Sequence, residues 1–510
     1  MTIDGTGSAG KSTGKSARTT AKKTARAVAD QVSSSTTGAT TKAATKATKR
    51  ATKKASSTAR KATTTATATT RATAKSAAKT VRKATAGTGT ARKTASKSSG
   101  TTTRRRPDHD IVLYGATGFT GKLVAARLAK NAPTGTKIAL AGRSRDRLGI
   151  VRDELSGRAG DWPLVIADSS DEKSLGAMAE STNTVITTVG PYAEYGLPVV
   201  EACAKAGINY CDLTGEVLFM RESIDRYDAI ARANKARIVH SCGFDSIPSD
   251  LGVLALSLAA RHDDPEARLL GTRFIVTGAK GGVSGGTIAS GLNELERAKD
   301  DKRVAELLAD PYSLSPDRAE EPRGEVPQPR GVTRDDVVGA WLAPFIMGPI
   351  NSPVVRRSNA LADYAYGRDF QYAEYVSCGD GVGGRLAAAG MALGMTVGEA
   401  ALSIPQVRSL AGKVLPEPGE GPSDETRAKG YFSIALHTRT ADGVPYRAKV
   451  AAQGDPGYAA TSMMLATTGL TLAGDGVPRR YGVLTPSTAV GELLIHNLRL
   501  AGMTIQARKA

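Results

Sequence analysis

Residue types that build metal centres, disulfides and membrane spans are scarce in this 510-residue sequence. It holds four cysteines and five histidines, and neither a Cys-x-x-Cys pair nor a His-Glu-x-x-His motif occurs. We therefore expect no metal site and no redox disulfide, and this cysteine usage fits a reducing cytoplasm.

Two long uncharged stretches, 337–355 and 457–474, are diluted by proline, asparagine, glycine and threonine. Neither is the run of about 20 predominantly apolar residues that a membrane span requires.

Large apolar side chains are absent from the first 106 residues, which contain no Leu, Phe, Tyr or Trp. Loose repeats of Ala, Thr, Lys and Arg give this segment a net charge of +23, whereas the remaining 404 residues carry −3. With so few large apolar side chains the segment cannot offset its ordering entropy, so we expect 1–106 to be disordered. As a polycation it is expected to bind nucleic acid or an anionic membrane surface, and a solvated, solubilising extension is the alternative.

An apolar segment, a glycine-rich turn and a helical pattern follow one another from residue 110. The segment 110–114 predicts a buried strand, and apolar residues at helical spacing continue to Lys130. Glycines in such a turn let the backbone approach a pyrophosphate that binds at the helix N-terminus. The candidate cofactor-binding residues of this turn are Gly115, Thr117, Gly118, Phe119, Thr120 and Gly121.

The second predicted strand, 137–141, ends in two arginines and a serine instead of an acid. NAD-specific sites usually place an acid here to bind the ribose 2′-OH. Arg143 and Ser144 suit a 2′-phosphate, because a guanidinium can bind phosphate oxygens in pairs. The sequence therefore favours NADP(H), with NAD(H) as the alternative.

Strand and helix patterns keep alternating up to residue 250. The further strands are predicted at 163–167, 184–189, 209–213 and 237–241. This alternation predicts an α/β fold, a Rossmann-type doubly wound parallel sheet that binds ligands beyond the carboxyl ends of its strands. The turns there add three cofactor candidates, Asp168 facing the adenine and the pair Gly190 and Pro191.

Four regions are expected along the chain. They are the basic tail (1–106), an NAD(P)-binding Rossmann domain (107–250), a mixed α/β substrate domain (251–480) and a C-terminal helix returning to the Rossmann domain (481–510). Within the substrate domain, the uncharged run 386–398 is expected to pack in the core. The alternative is peripheral membrane contact through Trp341, Phe345, Ile346 and Met347.

Several motifs together resemble the saccharopine dehydrogenase-like oxidoreductases. They lie at 115–121, 142–144, 190–192, 210–216 and 243–250, with similar segments at 282–287 and 482–486. Within that family the chain is most similar to the mycobacterial trans-acting enoyl reductases, over residues 107–510. The resemblance implies an NAD(P)H-dependent reductase acting on an unsaturated acyl or polyketide chain, free or bound to a carrier protein, in lipid or glycolipid biosynthesis. The basic tail is not part of the family pattern.

Reduction of an enoyl thioester needs a hydride at the β-carbon, a proton at the α-carbon and hydrogen-bond donors for the enolate oxygen. Tyr192 is the first candidate for the proton donor, although packing on the nicotinamide ring is an alternative role. Tyr195 is a second candidate. Asp212 is a third catalytic candidate, positioned after the fifth strand to bind the nicotinamide ribose or to orient a water molecule, and structural hydrogen bonding to neighbouring turns is the alternative role.

Two rival functions stay open. The segment 282–286 fits the Gly-x-Ser-x-Gly nucleophile elbow of hydrolases, with Ser284 as the nucleophile of an acyl hydrolase. The other rival is a catalytically idle Rossmann scaffold whose tail places it on nucleic acid or an anionic surface. Through that tail, a cytoplasmic protein would reach the inner face of the plasma membrane or the nucleoid.

The side chains of Asp245, Ser246 and Ser249 are expected to cap the helix that begins near Pro248.

Overall fold

The structure is a computed structural model that describes residues 107–155, 157–281, 285–322, 331–402 and 421–510. The predicted basic tail, 1–106, lies outside the described residues. Strands and helices are numbered below in chain order.

The first sheet contains seven strands, all parallel. They are β1 (His109–Tyr114), β2 (Ile138–Gly142), β3 (Leu164–Ile166), β4 (Thr182–Thr187), β5 (Asn209–Cys211), β6 (Arg237–Val239) and β13 (Gly482–Leu484). Their order across the sheet is β13-β6-β5-β4-β1-β2-β3. Crossover helices connect the first six strands: α1 (Phe119–Asn131), α2 (Arg145–Glu154), α3 (Glu172–Glu180), α4 (Tyr192–Ala206) and α5 (Val217–Asn234). The predicted α/β class and the doubly wound parallel sheet are confirmed.

The second sheet also has seven strands, but it is mixed. They are β7 (Gly271–Lys280), β8 (Thr333–Asp335), β9 (Ala340–Pro344), β10 (Gln371–Ser377), β11 (Tyr431–Arg439), β12 (Pro445–Gln453) and β14 (Thr504–Lys509). They lie in the order β14-β12-β11-β7-β10-β9-β8, and β7 pairs with β10 in parallel. On β11 the residues Phe432, Ile434 and Leu436 are buried and alternate with partly exposed ones, so one face of the sheet packs on the core.

The remaining helices lie between and around the two sheets. They are α6 (Ile247–Asp263), α7 (Gly285–Asp300), α8 (Lys302–Ala309), α9 (Gly348–Leu361), α10 (Gly381–Leu402), α11 (Asp424–Ala428), α12 (Thr461–Ala473), α13 (Pro486–Ala489) and α14 (Gly491–Leu500). The largely buried α6 joins the two sheets, because it leaves the end of β6 and packs against β12 and β14. The helix α12 packs against β4, β5 and α1 of the parallel-sheet half.

Two buried carboxylates, one on α6 and one on β10, hold α6 in place. Their oxygens accept hydrogen bonds, as buried polar groups must. Asp250 accepts hydrogen bonds from the hydroxyls of Ser358, at 2.5 Å, and Ser487, at 2.8 Å. Glu374 on β10 accepts one from Ser249, at 2.7 Å. Burial raises the pKa of Asp250 to about 6 and that of Glu374 to about 7.

The C-terminal segment 481–510 contributes one strand to each sheet, whereas the sequence predicted a helix that returns to the Rossmann domain. Its first strand, β13, extends the parallel sheet beside β6, and its last strand, β14, pairs with β12 of the mixed sheet. The segment 461–473, placed by the sequence in the substrate domain, forms α12 on the parallel sheet. The chain therefore crosses between the two halves more often than a linear division predicts.

Candidate active site

The glycine turn between β1 and α1 is shaped by close contacts of its backbone. Gly115 has a φ of +88°, and a Cβ atom there would lie 2.8 Å from the hydroxyl of Thr188. A Cβ atom on Gly121 would lie 2.1 Å from the carbonyl oxygen of Gly115, so the first turn of α1 packs directly on the loop. Both positions require glycine, one for its conformation and both for space.

The N-terminus of α1 is open to an anion. Gly118 is its N-cap residue, and no side chain caps the helix. Gly118 is exposed, Thr117 and Thr120 are partly exposed, and a Cβ atom on Gly118 would only make an ordinary 3.5 Å contact. Uncapped N–H groups and the helix dipole favour a phosphate at this end. The residues of the loop therefore fit the pyrophosphate of a dinucleotide.

Phe119 connects this loop to the second half of the protein. Its ring contacts the ring of Tyr458 edge-on, with centroids 4.9 Å apart. The guanidinium of Arg427 lies 5.1 Å from the same ring centroid. We therefore assign Phe119 a packing role beside the pyrophosphate loop, in addition to the backbone N–H that it brings to the helix N-terminus.

Arg143 follows β2 and is exposed, as a residue that binds a 2′-phosphate must be. Within the described residues it forms neither a hydrogen bond nor an ion pair. Ser144 is the N-cap of α2, and its hydroxyl accepts a hydrogen bond from the Arg147 N–H at 3.4 Å. Asp168 accepts two hydrogen bonds from Ser170, and these bonds together with the nearby charge of Arg143 lower the pKa of Asp168.

Substituting glutamate for Arg143 is expected to weaken NADPH binding by about 10- to 100-fold, since a charge-assisted hydrogen bond is replaced by repulsion. Affinity for NADH, which lacks the 2′-phosphate, should change by less than about threefold. Fluorescence titration of the parent and variant proteins with both nucleotides measures this. An equal loss for NADPH and NADH would contradict a role for Arg143 in recognising the 2′-phosphate.

The turn after β4 lies beside the glycine loop. The hydroxyl of Thr188 donates a hydrogen bond to the carbonyl oxygen of Gly115 at 3.1 Å. Gly190 is exposed, and the peptide bond between Gly190 and Pro191 is cis. This turn therefore brings the two cofactor candidates of β4 next to the loop after β1.

Tyr192, the first catalytic candidate, points into the protein. Its hydroxyl donates to the carbonyl oxygen of Thr187 at 3.2 Å and accepts from the N–H of Leu213 at 3.5 Å. The side chain is 5% exposed, and burial raises the pKa of its hydroxyl well above the ordinary value. These contacts assign Tyr192 to positioning the turns after β4 and β5. Tyr195, one helical turn further, is 40% exposed and stays accessible.

Asp212 is the centre of a buried hydrogen-bond network and does not reach the cleft. Its carboxylate accepts from the hydroxyl of Tyr210 at 2.8 Å and from the N–H groups of Thr214 and Ser241. It is also bonded to a ring nitrogen of His240 at 2.7 Å. The side chain is fully buried, so its role is to join the ends of β5 and β6.

The other ring nitrogen of His240 lies 2.8 Å from the hydroxyl of Ser223. This arrangement has the connectivity of a Ser-His-Asp triad. Both Ser223 and His240 are buried, at 0% and 4% exposure, so a substrate cannot reach the serine. The triad is therefore a structural network.

Glu216 has a similar structural role after β5. Its carboxylate accepts hydrogen bonds from the N–H groups of Tyr192 and Ala193 at 2.9 and 2.7 Å. It also accepts from the hydroxyl of Ser290 at 2.7 Å. Glu216 thus holds the N-terminus of α4 against α7 and fixes the turn that carries Gly190.

Asp245 is the functional candidate that sequence reasoning missed. The expected cap is not formed: the hydroxyl of Ser246 donates to Asn351, at 3.0 Å, and that of Ser249 donates to Glu374. Asp245 has no hydrogen-bond or ion-pair partner within the described residues. One carboxylate oxygen lies 3.4 Å from the point where a Cβ atom on Gly215 would be.

The environment of Asp245 is apolar on one side. Side-chain carbons of Ile350 lie 3.6 and 3.8 Å from that same point at Gly215. The neighbouring Phe244 packs its ring on that of Phe432, with centroids 4.9 Å apart. Desolvation raises the pKa of Asp245 to about 7, although the residue is still partly exposed. An acid that is half protonated near neutral pH, at the edge of the parallel sheet, is suited to proton transfer.

Metal chemistry finds no support in the described part of the chain, where no group of three or more His, Cys, Asp or Glu residues could hold a metal ion. The hydrolase candidate Ser284 lies outside the described residues. The structure does present a glycine loop after β1 and a partly exposed acid after β6, two strands of the same parallel sheet.

Comparisons with known proteins bear on the cofactor and on the family. The sequence model of the saccharopine dehydrogenase NADP binding domain matches residues 111–239. A Mycobacterium tuberculosis protein, provisionally named a trans-acting enoyl reductase, is 48% identical over 79% of this chain and 98% of its own. The trans-acting enoyl reductase of Mycobacterium ulcerans is 42% identical over 79% of this chain and 98% of its own. Saccharopine dehydrogenase (L-Glu forming) of Saccharomyces cerevisiae covers 78% of this chain and 99% of its own, at 11% identity and a TM-score of 0.44.

The fold and the glycine loop define a Rossmann-type NAD(P)-dependent oxidoreductase. The chain belongs to the trans-acting enoyl reductases of the saccharopine dehydrogenase-like family. The sequence predictions of the family, of an oxidoreductase and of NADP(H) as the favoured cofactor are thereby confirmed. The relatives favour this function over the hydrolase and the idle scaffold.

Replacing Tyr192 by phenylalanine tests the reassignment of that residue. Loss of the buried hydroxyl should lower the free energy of unfolding by about 1–2 kcal/mol while kcat stays within about threefold. Thermal unfolding and steady-state kinetics measure the two quantities. Tyr195→Phe is the matched comparison, because its exposed hydroxyl contributes little to stability. A Tyr192→Phe protein of unchanged NADPH affinity whose kcat is at least about a hundredfold lower would restore Tyr192 as proton donor.

Proposed function

We propose that the protein uses NADPH to reduce the carbon–carbon double bond of an α,β-unsaturated acyl thioester. The observation that carries this proposal is the combination of a glycine-lined helix N-terminus with the carboxyl group of Asp245, each without a side-chain partner among the described residues and each following a strand of the parallel sheet. The names of the relatives support the enoyl group as the substrate class.

Different residues of the chain bind the cofactor and transfer the proton. NADPH, when bound, supplies the hydride that forms the new bond at the β-carbon. The loop 115–121 holds the pyrophosphate and Arg143 holds the 2′-phosphate. The Asp245 carboxyl gives its proton to the α-carbon, so that the double bond gains one hydride and one proton. Because Asp245 is partly exposed, water returns a proton to the carboxylate after each turnover.

Apolar side chains near Asp245 suit the acyl part of such a substrate. Ile350 and Asp245 both lie beside Gly215, and Phe244, the neighbour of Asp245 in the chain, packs on Phe432. Exclusion of water from such a region strengthens electrostatic interactions with the developing charge. A carrier-protein-bound chain fits a protein that acts in trans, because the thioester arm can deliver a long chain into a cleft.

The basic tail is proposed to supply localisation, not chemistry. Its charge of +23 favours a polyanion, either nucleic acid or an anionic membrane surface, while the remainder of the chain is close to neutral. Binding by counterion release must weaken as salt rises from about 50 to 300 mM. Polyanion affinity that is unchanged over this range would overturn the proposal for the tail.

The reaction itself is tested with the full-length protein, NADPH and a set of acyl-pantetheine thioesters. Enoyl thioesters should oxidise NADPH stoichiometrically and yield the saturated product, whereas saturated thioesters should not react. A 3-ketoacyl thioester reduced faster than the enoyl compound would replace the proposed reaction with carbonyl reduction. Failure to bind either NADPH or NADH would contradict an enzymatic role altogether.

A further inference from the structure

The helix α10 exposes apolar side chains that the sequence assigned to the core. Between residues 386 and 398 it contains no ionisable residue. Its large apolar side chains are nevertheless exposed: Val382 77%, Leu386 67%, Leu393 58%, Val397 51% and Met391 43%. The expectation that 386–398 packs in the core is therefore wrong. A surface helix of a globular domain normally turns a polar face to solvent, and α10 does not.

Four of these five exposed side chains form one stripe, and Met391 lies on the other side of the helix. At about 100° per residue, Val382, Leu386, Leu393 and Val397 fall within about 60° of one another around the helix axis. The buried residues Gly384 and Ala388 lie on the opposite side, where α10 packs on β9. The stripe thus points directly away from the body of the protein.

Two further apolar side chains are exposed close in sequence to β9, the strand on which α10 packs. Val337 and Ile346, which flank β9 in the sequence, are 60% and 61% exposed. Phe345 stacks on Phe274, and Met347 is buried. Both therefore pack inside the protein, and of the residues expected to contact a membrane only Trp341 and Ile346 remain candidates. An exposed apolar stripe such as that of α10 marks an interaction site.

We infer that α10 is an in-plane membrane anchor whose outward stripe inserts at the boundary of head groups and acyl chains of an anionic bilayer. The uncharged run of 13 residues is about 20 Å long, shorter than the hydrocarbon core of about 30 Å. Within the described residues no helix is long and apolar enough to span a membrane. An apolar helix of this length fits the surface of a bilayer, lying parallel to it.

Two features favour an anionic lipid bilayer as the partner of the α10 stripe. Arg385, at the start of the stripe, lies over the ring of Trp341 at 5.3 Å, and this pairing of a cation with an indole is typical of a membrane interface. The segment 1–106 adds a charge of +23 to the same chain. Stable attachment to a membrane generally needs two such signals, one apolar and one electrostatic.

A second copy of the chain fits this surface less well. A helix of 22 residues presents an outward face of about 330 Å², roughly 33 Å by 10 Å, whereas a stable interface buries about 800 Å² per partner. Protein interfaces also carry a polar rim, and residues 386–398 supply no charged group for one.

Vesicle flotation of the full-length protein tests the inference. Vesicles of phosphatidylcholine alone and with about 30% phosphatidylglycerol are compared at about 50 and 300 mM salt, which separates apolar from electrostatic binding. The test variant is Leu386→Asp/Leu393→Asp. The matched control is Leu500→Asp, which alters a 76% exposed leucine at the end of α14.

The expected result is binding to anionic vesicles that persists in part at high salt and falls by more than about tenfold in the double variant, but not in the control. Unchanged NADPH affinity verifies that the double variant is folded. Vesicle binding that the double variant leaves unaltered would overturn the inference and assign attachment to the tail alone. Absence of vesicle binding together with a dimer that the double variant dissociates would make a second copy the occupant.

A fluorescence measurement decides the matter should the double variant fail to fold. In Leu393→Trp, brominated lipids should quench the added emission at residue 393 more strongly than the emission of the parent protein. Of the two native tryptophans, Trp162 is 7% exposed and Trp341 lies beside Arg385, so the quenching of the parent protein is measured first and subtracted. Equal quenching in parent and variant would place residue 393 outside the bilayer and refute the anchor.

Discussion

Alanine at Gly121 is expected to abolish NADPH binding, whereas alanine at Gly118 should leave the affinity within about threefold of the parent value. A Cβ atom on Gly121 would lie 2.1 Å from the carbonyl oxygen of Gly115, a backbone atom that cannot move without opening the loop. On Gly118 the nearest atom is the same carbonyl oxygen, but at 3.5 Å, and the backbone is extended with a φ of −75°.

The pair is a matched test because both variants add one methyl group to the same glycine turn. Fluorescence titration gives the NADPH affinity, and thermal unfolding shows whether the fold survives. Gly121→Ala should lower the melting temperature by a few degrees, since displacing the first turn of α1 costs about 1–3 kcal/mol. Equal affinities for the two variants would show that the loop does not hold the pyrophosphate.

Asparagine at Asp245 should lower kcat by about 10²- to 10⁴-fold with little effect on NADPH affinity, because it removes the group proposed to protonate the α-carbon. In the parent protein kcat should fall above about pH 7, since the pKa of Asp245 is raised to about 7 and only the protonated form is active. The variant should lose this dependence on pH. Asp442→Asn, in an exposed turn between β11 and β12, is the control and should keep both rate and profile.

The same substitution should stabilise the fold in alkaline conditions. A carboxyl group whose pKa is raised on folding keeps its proton more tightly in the native state, so it lowers stability as pH rises from about 4 to 7 and remains unfavourable above that. The shift from 3.8 to about 7 sets an upper limit of about 4 kcal/mol, and partial exposure reduces the expected gain to about 2 kcal/mol.

Denaturant unfolding at pH 5 and pH 8 compares parent and variant. The gain should be present at pH 8 and small at pH 5, where the parent carboxyl is already largely protonated. Glu374 and Asp250, also buried with raised pKa values, affect both proteins equally and cancel in the difference. A protein that gains stability but loses turnover would identify Asp245 as a residue retained for chemistry at the expense of stability. Loss of both stability and turnover would instead make Asp245 structural.

The cofactor half of the site is predictable from sequence because its determinants are local. A strand, three glycines and a helix within 23 residues must form the turn around Gly115 and Gly121, and Arg143 follows the next strand directly. The charge difference between 1–106 and the remaining residues is likewise a property of composition alone. The parallel sheet follows from the alternation of short apolar strands with helical segments.

Only the tertiary structure showed which polar side chains after β4 and β6 have partners and which apolar side chains of α10 are exposed, because those contacts join residues distant in sequence. Ser246 and Ser249 could have capped α6, but Asn351 and Glu374, 105 and 125 residues away, take up their hydroxyls and leave Asp245 without a partner in the described residues. The hydroxyl of Tyr192 is directed inward by Thr187 and Leu213. The apolar run in α10 could be buried or exposed on composition alone, and only its packing on β9 through Gly384 and Ala388 turns Leu386 and Leu393 outward.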